Sequence, residues 1–251
     1  HPAVRLPVIS NQDGFMTSHT AQNVTPLEDE VACKFVGDYL QVNALLNFDK
    51  PVTHGVQTEQ DWHFEHKAKQ HAALMGSKKV ILETFAQFKE LTGREYKLVE
   101  SYGMEDAEIA IVCLGSTFET AMLAIDQLRE EGIKAGVVAP RLFRPFPLEE
   151  VADALQNVKA VACMDRSAPG GTVGALYNEV SGALINTPAR PLVSNLIYGL
   201  GGRDMTVAGL KNIFKTLDKE AKDGKLAGKI QRFVGVRGPE LSFYEAKGAQ
   251  K

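Results

Sequence analysis

The chain has 251 residues, of which 44% are hydrophobic and 24% are charged, and its formal net charge is -3. This composition is typical of a globular protein and excludes disordered and collagen-like chains. The small negative charge offers no basic face to a phosphate backbone, and no apolar run reaches the about 18 residues that a membrane span needs. Neither nucleic acid nor a membrane is therefore an expected partner.

The N-terminal part predicts two helices and one strand. We expect a strand at residues 4–10, a helix over about 26–40 and a polar, extended arm over 47–61. A long helical pattern follows over about 64–92 and stops at Gly93. Because a helix of this length commonly bridges two parts of a chain, we place the domain boundary there.

Beyond residue 97, strand and helix patterns alternate, which indicates βαβ units and a doubly wound α/β domain with a mostly parallel sheet. The strands are expected at 108–114, 134–139, 159–164 and 191–198, and the helices at about 116–132, from 147, at 172–184 and at 206–224. Ser116 and Glu119 predict a capping box for the first of these helices. The predicted organisation is 1–66 for the end of a first domain and the arm, 67–97 for the long helix and linker, 98–225 for the α/β domain and 226–251 for a tail.

Two glycine-containing turns invite a nucleotide or phosphate interpretation. The turn Gly115–Glu119 follows a strand and opens a helix, but it lacks the GxGxxG spacing and the Walker lysine, which favours a plain capped turn. The stretch Gly170–Gly174 has the wrong spacing for a dinucleotide fingerprint, and no acidic residue follows for a ribose contact.

The sequence gives little support for a resident metal. His63, His66 and His71 form neither a HxxxH nor a HExxH pattern, so solvent-facing histidines are favoured. The chain has no CxxC pair for an iron–sulfur cluster, and its three cysteines indicate buried thiols in a reducing, cytoplasmic compartment instead of disulfides.

Three polar clusters are candidate functional sites. The first cluster lies in the loop after the first predicted strand and consists of Asp13, Ser18 and His19. These side chains could contact a substrate or a cofactor, or they could have only a structural role in the turn or at an interface. Arg141 and Arg144 lie in a proline-stiffened aromatic loop at a strand end. Two interpretations of this loop remain open. The phenylalanines could belong to the core while the arginines pair with Glu149 and Glu150, or the loop could contact another subunit or a ligand. The third cluster, Asp165-Arg166-Ser167, follows the next strand and suits a ligand or a partner subunit.

Several segments in order resemble the α subunit of the pyruvate:ferredoxin (2-oxoacid:ferredoxin) oxidoreductases. They are LPVISNQDGFMTSH from residue 6, EDAE from 105, RLFRPFPLEE from 141, MDRS from 164 and YGLGGRD from 198, which adds Arg203 to the interface or ligand candidates. The resemblance extends from about residue 4 to residue 220.

The resemblance implies the end of a thiamine-diphosphate pyrimidine-binding domain followed by a domain like the C-terminal domain of transketolase. It also implies a complex that decarboxylates a 2-oxoacid, acylates coenzyme A and passes electrons through 4Fe–4S clusters to ferredoxin. Thiamine diphosphate, Mg²⁺, the clusters and coenzyme A would belong to the whole complex, with none held by this chain alone. The expected partners are subunits of β, γ and δ type, arranged as a dimer of heteromers, and ferredoxin.

The family's catalytic glutamate maps to sequence upstream of His1, so no catalytic residue is assigned here and the chain alone is expected to be inactive. Pyruvate is the expected substrate. A sister specificity for 2-oxoglutarate, a branched 2-oxoacid or oxalate remains open, and so does a structural docking role without chemistry of its own.

Overall fold

A computed structural model describes residues 3–15, 17–39, 41–55 and 57–237. The chain divides into two compact units. Unit 1 comprises His1–Asn11 and Ser18–Tyr96, and unit 2, called the α/β unit below, comprises Gln12–Thr17 and Lys97–Lys251.

The described residues of unit 1 form two helices, α1 (Asp29–Val36) and α2 (Gln60–Thr92). The helix α2 begins four residues before the predicted start and ends where predicted, because Gly93 adopts the left-handed conformation and its N–H donates to the Lys89 carbonyl at 2.8 Å. The helix α1 is shorter than predicted and stops before Gly37 (φ 69°). The ring of Phe35 packs edge-on against Phe88, with ring centres 5.8 Å apart.

The strand predicted at residues 4–10 is wrong, since these residues have no strand pairing in the structure. Val8 and Ile9 are 86% and 81% exposed. An apolar pattern becomes a strand only when a neighbouring strand takes its backbone hydrogen bonds, and none of the described residues does so here.

The described part of the α/β unit contains six strands, β1 (Val99–Tyr102), β2 (Ile109–Val112), β3 (Ala135–Pro140), β4 (Ala160–Asp165), β5 (Leu192–Ile197) and β6 (Gln231–Phe233). They form one sheet in the order β1-β3-β2-β4-β5-β6, in which only β1 runs antiparallel to its neighbour. The helices of the unit are α3 (Thr117–Glu130), α4 (Leu148–Ala154), α5 (Ala175–Leu184) and α6 (Val207–Asp223).

The doubly wound α/β class is confirmed, because helices cover both faces of this sheet. Ile109 and Ile111 of β2 point to the layer of α3 and α6, whereas Ala110 and Val112 point to the layer of α4 and α5. All four strand residues are at most 1% exposed, which explains why the predicted strands are continuous apolar runs. The edge strands β1 and β6 were not predicted, and β6 lies inside the segment predicted as a tail.

The strand order creates a switch point between β2 and β4. The chain leaves β2 through α3 to β3 on one side of this point, and it leaves β4 through α5 to β5 on the other side. In doubly wound sheets the two connections diverge at such a point and leave a crevice beyond the carboxyl ends of the strands, which is where ligands bind.

Candidate functional site

The carboxyl ends of three neighbouring strands bring polar side chains together at the switch point. Ser116 and Thr117 follow β2, Arg166 follows β4 and Tyr198 follows β5. Asp13 reaches the same place from the segment Gln12–Thr17, which belongs to the α/β unit although it is distant in sequence. We call these five residues the switch-point cluster.

The carboxylate of Asp13 binds at the N-terminus of α3. The Ser116 N–H donates to Asp13 Oδ2 at 2.6 Å, and Arg166 Nη1 lies 3.4 Å from Asp13 Oδ1. Ser116 itself makes no side-chain cap, so the predicted capping box with Glu119 is wrong. A carboxylate from 103 residues away takes the capping place, because the free N–H groups and the dipole of a helix start favour an anion.

Gly115 allows this close approach. Its φ is 66°, in the region that favours glycine, and a Cβ atom there would lie 2.6 Å from both carboxylate oxygens of Asp13. The glycine is therefore required both by the backbone turn and by the packing of Asp13.

A buried hydroxyl pair lies beneath the carboxylate. Thr117 Oγ1 and the Tyr198 hydroxyl are 2.6 Å apart, and both residues are 2% exposed. Arg166 Nη2 donates to Thr117 Oγ1 at 3.1 Å, and its guanidinium lies over the Tyr198 ring at 5.3 Å from the ring centre. Arg166 is thus held by a hydrogen bond and a cation–π contact in addition to its ion pair.

The electrostatics of the cluster favour a charged Asp13 and a neutral Tyr198. Partial burial acts to raise the pKa of Asp13, but the hydrogen bonds with Ser116 and the charge of Arg166 outweigh it and leave the pKa below its ordinary value. Burial raises the pKa of Tyr198 despite the opposing contacts with Thr117 and Arg166. At neutral pH the cluster therefore holds one carboxylate and one guanidinium.

Asp165 lies inside the domain and not at its surface. It is 5% exposed, and its carboxylate accepts hydrogen bonds from the Leu176 N–H at 2.9 Å, the Tyr177 N–H at 3.3 Å and Asn195 Nδ2 at 2.7 Å. Burial raises the pKa of Asp165, although these three donors oppose the shift. The carboxylate of Asp165 therefore accepts hydrogen bonds from the first residues of α5, and its ligand or interface role stays a prediction.

The two arginines of the aromatic loop form ion pairs with Glu100 and Glu179. Arg144 Nη2 lies 2.6 Å from Glu179 Oε1, and Arg141 Nη2 lies 3.3 Å from Glu100 Oε1. The rings of Phe143 and Phe146 meet edge to face with their centres 5.9 Å apart, and Phe146 belongs to the core. Both arginine side chains are about half exposed, so they remain candidates for a partner contact.

The remaining predicted residues do not join the switch-point cluster. Ser167 is exposed, and Arg203 donates from Nη1 to the Gly235 carbonyl at 2.5 Å. Ser18 Oγ and His19 Nδ1 are 2.7 Å apart on exposed side chains of unit 1. Asp13 belongs to the α/β unit, whereas Ser18 and His19 belong to unit 1, and the site role of all three stays a prediction.

The sequence interpretation did not include Ser116, Thr117 or Tyr198 among the site candidates. Ser116 and Thr117 belong to the glycine turn after β2, which carried the signal of an anion site. Tyr198 ends an apolar strand, and its position gave no sign that its hydroxyl meets Thr117. The pairing of β4 with both β2 and β5 brings that contact about.

The geometry defines a doubly wound α/β domain whose switch-point crevice holds a carboxylate of its own chain. Two family descriptions match the chain, "Pyruvate flavodoxin/ferredoxin oxidoreductase, thiamine diP-bdg" over residues 2–86 and "Pyruvate:ferredoxin oxidoreductase core domain II" over residues 107–210.

Characterised relatives agree with these matches. The pyruvate synthase subunit PorA of Thermotoga maritima is 41% identical over 237 residues, which are 94% of this chain and 59% of that protein. PorA of Pyrococcus furiosus is 35% identical, over 93% of this chain and 59% of its own. The ketoisovalerate oxidoreductase subunit VorA of Pyrococcus horikoshii is also 35% identical, over 91% of this chain and 58% of its own.

This chain is thus similar over most of its length to the α subunits of the pyruvate:ferredoxin (2-oxoacid:ferredoxin) oxidoreductase family, which confirms the resemblance predicted from its sequence. It spans about 59% of the length of the relatives it matches. Among the described residues, no helix is long and apolar enough to cross a membrane.

Proposed function

We propose that this chain serves as α-subunit polypeptide of a thiamine-diphosphate-dependent 2-oxoacid:ferredoxin oxidoreductase, with pyruvate as the 2-oxoacid. The reaction converts pyruvate and coenzyme A to acetyl-CoA and CO₂ and transfers two electrons to ferredoxin. The single observation that carries the proposal is the 41% identity to a pyruvate synthase subunit over 94% of the chain.

The choice of pyruvate rests on that same relative. The pyruvate synthase subunit of P. furiosus and the ketoisovalerate subunit of P. horikoshii are equally similar to this chain, at 35% identity. A branched 2-oxoacid is therefore the first alternative to test.

The described residues do not by themselves fit a site for thiamine diphosphate and Mg²⁺. Within the described ranges no three His, Cys, Asp or Glu side chains come together as a metal site. Ser77 is the one buried residue among the described residues of unit 1. These residues therefore enclose no pocket for a cofactor ring. We assign no catalytic step to this chain, and we propose that the thiamine diphosphate, Mg²⁺, iron–sulfur and coenzyme A sites are completed in a complex with partner subunits.

The test is purification of the chain from its native host through an affinity tag, together with whatever binds it. We expect co-purifying subunits, the absorption of iron–sulfur clusters, and reduction of a viologen dye that requires both pyruvate and coenzyme A. Pyruvate should give a higher kcat/KM than 3-methyl-2-oxobutanoate or 2-oxoglutarate, and omission of coenzyme A is the control. If no 2-oxoacid supports reduction by the purified complex, the proposed function is wrong.

A second candidate function for the α/β unit is structural docking without chemistry. It is favoured by the occupation of the switch-point crevice, the usual ligand position of such sheets, by Asp13. Calorimetric titration of the partner subunits with thiamine diphosphate and Mg²⁺, with and without this chain, separates the two, since a docking chain should not change the binding. Tighter cofactor binding in the presence of this chain would overturn the docking function.

A further inference from the structure

We propose that Asp13 acts as a latch. Its carboxylate occupies a binding site of the same chain that is formed by Gly115, Ser116 and Arg166, which we call the carboxylate receptor. The latch fastens the segment Gln12–Thr17 to the carboxyl edge of the sheet. This inference concerns contacts within the α/β unit and does not depend on the proposed activity.

The path of the chain shows why such a segment needs a fastening. Gln12–Thr17 belongs to the α/β unit, but the residues on both sides of it belong to unit 1. The described residues of this segment, 12–15 and Thr17, have no helix or strand pairing and are too few to bury a core of their own, so contacts with the rest of the unit must hold them. The contacts of Asp13 with Ser116 and Arg166 supply such a hold.

The backbone beside the latch is strained, which is independent evidence of a fastening. Phe15 has a φ of 59°, a region that bulky residues rarely adopt, and its side chain is 71% exposed. A strained conformation persists when the structure around it imposes it, and Asp13 is anchored two residues earlier.

The two contacts that the receptor makes with the Asp13 carboxylate differ in strength. The Ser116 N–H bond is short, charge-assisted and placed at the start of a 14-residue helix. The Arg166 pair is longer, at 3.4 Å, and the Arg166 side chain is 40% exposed, so solvent screens it. The Ser116 bond should therefore carry most of the latch, while Arg166 orients the second oxygen.

The receptor has the chemistry of a site for any small carboxylate. An N–H donor and a guanidinium converge on the two oxygens, and Gly115 leaves room for them because it has no Cβ. Substitution of Asp13 by alanine would empty this receptor without changing its donors. Free acetate at high concentration should then enter it and restore the bond to Ser116.

Amide hydrogen exchange of the intact chain, read residue by residue by NMR, tests the latch. In Asp13→Ala we expect the Ser116 amide to exchange roughly tenfold to a hundredfold faster, the range for loss of a charge-assisted hydrogen bond. The amides of Ile111 and Val161 in the sheet should not change. Acetate should slow the Ser116 amide again in this variant, whereas chloride at the same ionic strength should not.

Three variants complete the test. Asp153→Ala removes an exposed carboxylate of the same unit and should leave the Ser116 amide unchanged. Arg166→Gln should raise the exchange rate of that amide less than Asp13→Ala does. If Asp13→Ala does not fold, Asp13→Asn replaces it, since a neutral amide oxygen should give an intermediate exchange rate.

Equal exchange of the Ser116 amide in the native chain and in the folded Asp13 variant would overturn the latch. Failure of acetate to protect Ser116 in Asp13→Ala would overturn the receptor. An effect of Arg166→Gln larger than that of Asp13→Ala would show that the ion pair, and not the helix N-terminus, holds the segment, contrary to the proposal.

Discussion

Gly174 precedes α5 and touches the buried carboxylate of Asp165, so replacement by alanine is a sharp test of the packing described above. A Cβ atom at this position would lie 2.2 Å from Asp165 Cγ and Oδ2, far inside van der Waals contact. The backbone has φ -69° and ψ 161°, which any residue adopts, so the whole effect of the methyl group comes from this clash.

The magnitude follows from what the methyl group displaces. Overpacking alone costs about 1–3 kcal/mol. A displaced carboxylate would also lose charge-assisted bonds from the Leu176 N–H and from Asn195, each worth about 1.5–3 kcal/mol. A carboxylate that moves away loses these bonds but relieves part of the overpacking, so the two costs do not add in full. We therefore expect Gly174→Ala to lower the free energy of unfolding by about 3–5 kcal/mol.

The same helix offers a matched control. Gly182 lies inside α5 and has no atom within 4 Å of an added Cβ, so Gly182→Ala should stabilise the protein by about 0.5–1 kcal/mol. Urea unfolding followed by circular dichroism measures both variants against the native chain. In an Asp165→Ala background the cost of Gly174→Ala should fall below about 1 kcal/mol, since the obstructing carboxylate is gone. Equal stability of Gly174→Ala and Gly182→Ala would refute the reasoning.

Two further predictions concern buried groups of the α/β unit and an exposed thiol. Burial raises the pKa of Cys113 to about 12 and the pKa of Cys163 well above its ordinary value, whereas Cys33 is exposed. One thiol per native chain should therefore react rapidly with Ellman's reagent at pH 8, and three in urea; two rapid thiols in the native chain would contradict this. Arg232→Ala leaves the fully buried side chain of Glu220 without its cation at 2.7 Å and should cost about 3–5 kcal/mol. The exposed Lys222→Ala should cost under about 1 kcal/mol in the same urea titration, and a similar cost for both would contradict the role of the pair.

The central strands could be predicted because their pattern depends on burial alone. Both faces of β2, β3 and β4 are covered, so these strands appear as uninterrupted apolar runs between glycine turns and polar residues. The edge strands carry no such pattern. Val99–Tyr102 and Gln231–Phe233 are partly exposed and contain polar residues at neighbouring positions, and they are strands only because β3 and β5 supply hydrogen bonds.

The same reasoning explains the opposite error at residues 4–10. There the apolar pattern is present, but the described part of the chain supplies no partner strand, and Val8 and Ile9 stay exposed. A strand is a property of two segments, and a sequence pattern describes one of them.

The switch-point cluster shows which part of a site can be predicted from the sequence. The turn Gly115-Ser116 carried the signal of an anion site, because a glycine after a strand and before a helix exposes free N–H groups. What the turn alone could not indicate is the identity of the anion, since Asp13 lies 103 residues away and follows a segment with no predictable contact. The missing Walker lysine and glycine spacing fit this arrangement, because a single carboxylate already attached to the chain needs fewer donors than a free polyphosphate does. A glycine turn of this kind, without the motifs of nucleotide binding, therefore indicates that a carboxylate of the same chain should be considered as its ligand before an external phosphate.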